Sequence, residues 1–473
     1  MTVDFPGVAT GWIRRLRLAT GDGAGLTQRA LATVDDAKRA HDRGDRAAAQ
    51  RIGEAAVAEL RSLVASGVRG AEPGLVRALL TQAEYLREMS RHAEAVAAAE
   101  EAVTVARADP ARTGSLVLAL SSLANQLLVA GRVREGLAAA REALADDIVQ
   151  PDAVLAWVLV TLANALAQAG EPEEALAQSE RAVGMWRVLA AGADRKSLFQ
   201  FGQALNNHAN RLYAAGRWAD AIEFSAESVA LFRRLAENLP DKLGTALTNY
   251  AIVLSRMGRE EEALAAAAEA ASLDGLSPAG RAAALRAYGG RLAILGRMTE
   301  AVAATTDAVG WYRQMLEQDR DAFRAVFAEA VSDLGGQIED PAEALPHLLE
   351  AVALRRELLR VNRAVALPGL AQSLAVLAWR LDELDRFDEA IDATAEALVL
   401  IREAAAANRA GTVVKFSFIL RDHVARLENA GRLDEARALV AETVEVSREA
   451  AEGREPAGSR GLDLALELQA RLE

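Results

Sequence analysis

Five histidines, His41, His92, His208, His347 and His423, and a large store of carboxylates are the first places to look for chemistry in this 473-residue chain, which has no cysteine. The lack of cysteine removes disulfides, thiolate metal sites and a cysteine nucleophile. The histidines lie far apart with none of the paired spacing that zinc requires. The carboxylates gather in runs such as "REEEA" and "GEPEEA", where acidity near a helix start and solubility account for them. His208 falls on an apolar stripe and is read as a core histidine. A glycine-rich segment, "TGDGAGL" (20–26), lacks the G-K-[ST] ending of a phosphate loop and has no strand before it; it is read as a flexible terminus. These residues predict no catalytic group, no metal and no cofactor.

A different kind of chemistry is offered by asparagine. Asn125, Asn164 and Asn210 recur at one place of a repeating pattern, and Asn206 precedes Asn210 by one helical turn. An amide supplies a donor and an acceptor together, so a row of them can hold an extended peptide backbone without choosing its sequence. The same amides can equally bond across adjacent helices, as buried amides often do. Which use applies depends on the elements that carry them.

Those elements are written in a repeat, A-x-x-L-x-x-x-G-R-x-x-E-A-L. Its turn position falls at Gly44, Ser90, Gly131, Gly170, Gly216, Gly258, Gly296, Glu339, Asp385 and Gly431, spaced by 38 to 46 residues. Seven positions before each turn, and five after it, stand small residues: Ala124 and Gly136, for example, or Gly289 and Ala301. Two helices joined by a short turn approach closely only where their facing side chains are small, and glycine ends the first of them in a left-handed conformation. The spacing predicts an antiparallel helix pair. Apolar residues on both members (Leu205 and Leu212; Val229 and Phe232) leave one pair with more apolar surface than it can bury, so pairs must stack.

Composition agrees. Half of the residues are hydrophobic, only 4% are aromatic, and prolines number 11, which is helical composition with few irregular linkers. A formal charge of −13 and a pI near 5.2 oppose nucleic-acid binding. "IRRLRLATGDGAGLTQRAL" has the look of the start of a helix-turn-helix segment, but the residues after it already belong to the first repeat and offer no recognition helix. Two uncharged runs, 113–131 and 153–170, reach the length of a membrane span. Each carries Asn and Gln and both occupy equivalent places in the repeat, so they are read as buried helices of an array. The start of the chain shows no secretory leader pattern, which makes a cytoplasmic location the expectation.

With its recurring small, large, Gly and Ala positions, the chain resembles the tetratricopeptide repeat family. The lengthened units and endings such as "SVALFRRLAENLP" are most similar to the kinesin-light-chain-like class found in bacterial regulatory proteins. The resemblance implies an all-α fold, a right-handed superhelical solenoid of about ten antiparallel helix pairs with the first helix of each pair on the concave face. It divides the chain into an N-terminal cap or flexible segment (1–26), the array (27–450) and a C-terminal capping helix (451–473). It also implies that Asn125, Asn164, Asn206, Asn210, Tyr213, Arg256 and Arg286 face the groove, together with acidic Glu329, Asp333 and Asp382 further on. The expected protein is a non-enzymatic scaffold or adaptor that holds a partner peptide or helix in that groove, with no nucleic-acid or membrane partner. The alternatives are self-association through the solenoid ends or, less favoured, regulation of a separate NTPase or peptidase effector, of which no motif is found in the sequence. Glu339 and Asp385 at turn positions, with prolines at 341 and 346, predict an irregular eighth repeat.

Overall fold

The computed structural model describes residues 23–42, 45–68, 70–89, 91–108, 113–145, 152–192, 194–235, 239–361, 363–407, 409–452 and 456–472. Among them the chain forms helices and no strand. The turn residues Gly44 and Ser90, and residues 20–22 of the glycine-rich segment, lie outside the described residues. The chain divides into two compact units, Met1–Arg211 and Leu212–Glu473.

The first unit holds four helix pairs, α1 (Gly23–Asp42) with α2 (Arg46–Ala65), α3 (Ala71–Glu88) with α4 (His92–Arg107), α5 (Thr113–Val129) with α6 (Val133–Glu142) and α7 (Asp152–Ala169) with α8 (Pro172–Leu189). Helix α9 (Arg195–Ala214) supplies its remaining residues up to Arg211. Besides packing on its partner, each first helix touches the first helix of the next pair: α1 on α3, α3 on α5, α5 on α7. The first helices therefore make one layer of the unit and the second helices another. Helix α1 begins four residues before the boundary that the sequence suggested, because Leu26 is drawn into a core with Ala30, Val34 and Val68. Helix α7 is long and apolar enough to cross a membrane by composition; here Ala156, Val158, Leu159, Leu162 and Leu166 are buried against neighbouring helices.

The second unit holds α10 (Trp218–Arg234) and then the pairs α11 (Pro240–Arg256) with α12 (Glu260–Ser272), α13 (Pro278–Ile294) with α14 (Met298–Gln318), α15 (Arg320–Gln337) with α16 (Pro341–Val361), α17 (Arg363–Glu383) with α18 (Phe387–Ala407) and α19 (Arg409–Asn429) with α20 (Leu433–Glu452). Again the first helices touch in series, α11 on α13 through to α17 on α19. Helix α21 (Pro456–Leu472) lies against α19 and α20 and buries Leu468 and Leu472 in the last core cluster.

The small residues meet where the spacing predicts. A Cβ added at Gly136 would stand 3.1 Å from the Ala124 carbonyl, and one at Gly289 would stand 2.3 Å from Thr305 Oγ1 and 3.1 Å from the Ala301 carbonyl. Ala163, Ala175, Ala378 and Ala390 at the equivalent places are fully buried. Turns are fixed just as locally. Gly131, Gly170, Gly216, Gly258, Gly296 and Gly431 take φ between 72° and 83°. The next residue's N–H then donates to the carbonyl of a buried leucine five back, as in Arg132 to Leu127 at 2.8 Å and Arg259 to Leu254 at 3.0 Å, the six-to-one bond of a Schellman end. The arginine after the glycine also pairs with an acid three residues on, Arg132 with Glu135 and Arg297 with Glu300, which holds those carboxyls below the usual carboxylate range. Along the second-helix layer, arginines reach one pair ahead: Arg61 to Glu101, Arg107 to Glu142, Arg233 to Glu269, Arg356 to Glu396 and Arg402 to Glu442.

The ninth turn keeps this design without glycine, since Asp385 itself adopts φ 59° and Arg386 still donates to the Leu381 carbonyl at 2.9 Å. The eighth turn abandons it. Ile338 is extended, Asp340 Oδ1 accepts from the Ala342 N–H at 2.8 Å, and the loose carbonyls of Gly336 and Ile338 accept from Arg380 Nη2 at 3.0 and 2.6 Å. The irregularity expected for the eighth repeat is thus a change of turn, and Pro346 is accommodated within α16. A left-handed non-glycine residue is strained. Asp385→Gly should raise the stability of the second unit by roughly 0.5–1 kcal/mol, net of the freedom that glycine adds to the unfolded chain, read as a higher calorimetric melting temperature.

Candidate functional site

In the first unit the asparagine row sits on the first-helix layer. Asn125 on α5 and Asn164 on α7 are half-buried, and Asn210 on α9 is exposed. Asn164 Oδ1 accepts from Arg211 Nη2 at 2.5 Å, so this amide bonds across adjacent first helices, the structural use that the sequence left open. Asn125 and Asn210 make no side-chain hydrogen bond among the described residues, while Asn206 is engaged. Arg211 has that amide as its hydrogen-bond partner, its Nε and Nη1 are buried without one, and burial pulls its guanidinium down to about 10.

In the second unit the other expected site residues are tied to one another. Arg256 Nε donates to the Tyr213 hydroxyl at 3.0 Å, with its guanidinium 6.0 Å from the ring centre. Arg286 Nη1 lies 3.1 Å from both Glu329 Oε2 and Asp333 Oδ2, and Asp382 accepts from Arg426 Nε at 2.8 Å. The basic stretch and the acidic stretch read from the sequence are therefore partly one internally paired cluster. Arg211, Arg380 and Arg426 all stand five residues before a turn, and each reaches back to the preceding pair. Sequence reasoning passed over this series because unlike residues, Arg39, Tyr85, Gln126, Ala165, Val253, Arg291 and Leu334, fill the same register in the other repeats.

Sequence reasoning also missed a cleft. In the first unit a cavity of about 550 Å³ opens among α1, α3 and α5, with Val76, Leu80 and the exposed Leu118 as its apolar floor. The His41 and Tyr85 rings stack at 4.7 Å on its edge, and Arg77 there is held by Asp35 at 2.5 Å. Lys38, also on the edge, makes no ion pair among the described residues. Lys38 and Glu84 occupy the same register, six before the turn, as the asparagines. That shared register was the available signal, hidden because the residue type changes. The cleft can take an apolar group that carries a negative charge beside it.

The histidines settle into the framework. His208 is buried and shares a 2.8 Å hydrogen bond with Ser179 Oγ; His423 is buried and shares one of 2.7 Å with Thr394 Oγ1. Both links join a second helix to the next first helix, 29 residues apart. Burial, with Arg426 and Arg432 nearby, lowers His423 from 6.5 to about 4. The folded state therefore holds neutral imidazole, and this contribution to stability is complete above pH 6.5 and lost as pH falls toward 4. The wild type should lose about 2 kcal/mol through this group across that window, after discounting for partial solvent screening. His423→Gln, followed by denaturant unfolding at pH 7 and pH 4.5, should lack that share of the loss.

No curated protein sequence matches the chain. Residues 155–190 and 200–274 match family models described as tetratricopeptide repeat. Among solved structures, the apo form of the quorum sensor NprR from B. thuringiensis is similar at 14% identity and a TM-score of 0.53, over 78% of this chain and 98% of that one. A Rap protein complexed with competence and sporulation factor is similar at 13% identity and a TM-score of 0.49, over 80% and 99%. A kinesin light chain with nearly identical TPR-like repeats, from Podospora anserina, shares 19% identity over 44% of this chain and 97% of that one, with a TM-score of 0.34.

Proposed function

We propose, starting from a chain that carries tetratricopeptide repeats, that the protein is a non-enzymatic scaffold or adaptor of the bacterial cytoplasm which binds a partner peptide or helix along its first-helix layer. The observation that carries this reading is the cleft among α1, α3 and α5. It is large enough to bury an apolar side chain, its rim presents the ammonium of Lys38, which has no ion-pair partner among the described residues, and on the same layer the half-buried amide of Asn125 makes no side-chain hydrogen bond among them. An apolar anchor beside an acidic group, held further along by an amide on the backbone, is the partner chemistry this arrangement accepts. The fold shared with NprR is consistent with such a role, but the reading rests on this chain's own residues.

Self-association through the array ends has less support. Helix α21 lays Leu468 and Leu472 against α19 and α20, so the apolar end of the second unit is already covered by the chain. Lys38→Glu combined with Asn125→Ala should reduce recovery of the partner in cross-linked capture from cells by about tenfold, equivalent to roughly 1.4 kcal/mol. Circular dichroism should stay unchanged, because both side chains lie outside the core. Equal recovery by wild type and variant would remove this cleft as the binding site.

A further inference from the structure

The second unit contains a separate cleft of about 420 Å³ between α13, α15, the end of α16 and the start of α17. Its polar wall holds two arginines and two carboxylates, Arg286, Glu329, Asp333 and Arg355; its other side is formed by Leu358, Ala366 and Pro368. A single nitrogen, Nη1 of Arg286, lies 3.1 Å from both Glu329 Oε2 and Asp333 Oδ2. The second oxygen of each carboxylate has no donor among the described residues.

Arg355 is left over from this pairing. Its Nε is buried without a hydrogen-bond partner, and Glu329 and Asp333 act on it only from beyond contact distance while burial lowers its guanidinium. Gly369 makes room for it, since a Cβ at that position would stand 1.8 Å from Arg355 Nη1. A half-buried cation with a buried, unpartnered Nε and no anion in contact is poorly compensated. The group that relieves it is a carboxylate arriving in the cleft, and the open oxygens of Glu329 and Asp333 require a donor or cation at the same time.

We propose that this cleft binds a free apolar α-amino acid, with its carboxylate on Arg355, its ammonium on Glu329 and Asp333, and its side chain against Leu358, Ala366 and Pro368. The volume suits a small molecule rather than a helix, and the two charged poles lie on one wall, as they do in a zwitterion. The site is independent of the partner cleft in the first unit and makes the second unit a receptor for a small metabolite.

The test is calorimetric titration of the full chain with L-alanine, L-valine, L-leucine and L-phenylalanine. Each binding amino acid is then compared with its N-acetyl derivative, which lacks the ammonium, and its amide, which lacks the carboxylate. At least one amino acid should bind, and both derivatives should bind at least about tenfold more weakly. Arg355→Met should abolish binding without lowering the melting temperature, because it removes an uncompensated charge. Gly369→Ala should weaken binding by displacing only the flexible end of Arg355, and it carries the comparison should Arg355→Met fold poorly. Lys38→Glu, in the first unit, should bind as the wild type does. No heat with any of the four up to about 10 mM, equal binding of the derivatives, or wild-type affinity in Gly369→Ala would overturn the proposal.

Discussion

Everything in either unit depends on how closely the two helices of a pair cross. A methyl group at Gly289 would collide with Thr305 Oγ1 and one at Gly136 would press on the Ala124 carbonyl, and alanine fills nearly all the other crossing points. A crossing that tight fixes the rotation of both helices about their axes. It thereby decides which residues become core, which enter the layer of first helices and which meet solvent. The Schellman ends fix the axial position in the same way, by seating one leucine carbonyl per turn. Position on the inner layer is therefore a consequence of packing several residues away, and a side chain there can change without changing the frame.

That separation explains what the sequence disclosed. Alanine, leucine and glycine at constant spacing report steric requirements that do not depend on distant residues, so the helix pairs and their turns could be read directly. Long polar side chains do not have that property. Asn164 and Asn125 are alike in sequence and register, yet one is held by Arg211 and the other is not. Arg286 has the spacing of a groove residue but is taken up by two acids from the next first helix, which lie more than forty positions away. Arg380 substitutes for a missing glycine from the following repeat, and no local pattern could announce that. The cleft around Lys38 was hidden for the opposite reason, since its walls come from three repeats that share a register and differ in residue type.

The buried serine and threonine links to His208 and His423 show how the framework tolerates polarity. Each histidine joins a second helix to the next first helix by a directional bond at the same separation in the sequence. The pairs on either side of His423 are thus held in register by two kinds of contact, apolar packing and a hydrogen bond sensitive to protonation of the imidazole.

The two layers also differ in what joins their successive members. Successive first helices touch directly, with ion pairs such as Arg426 to Asp382 among their packed side chains, whereas the second helices of successive pairs are bridged by exposed arginine and glutamate pairs such as Arg61 with Glu101 and Arg356 with Glu396. Each such bridge is weak and screened by salt, while apolar packing is hardly affected. Within either unit the result resembles a book, bound tightly along one edge and closed at the other by a row of light clasps. Salt or tension should act first on those clasps, so each unit should yield more readily along its second-helix edge than along the edge where its helices touch.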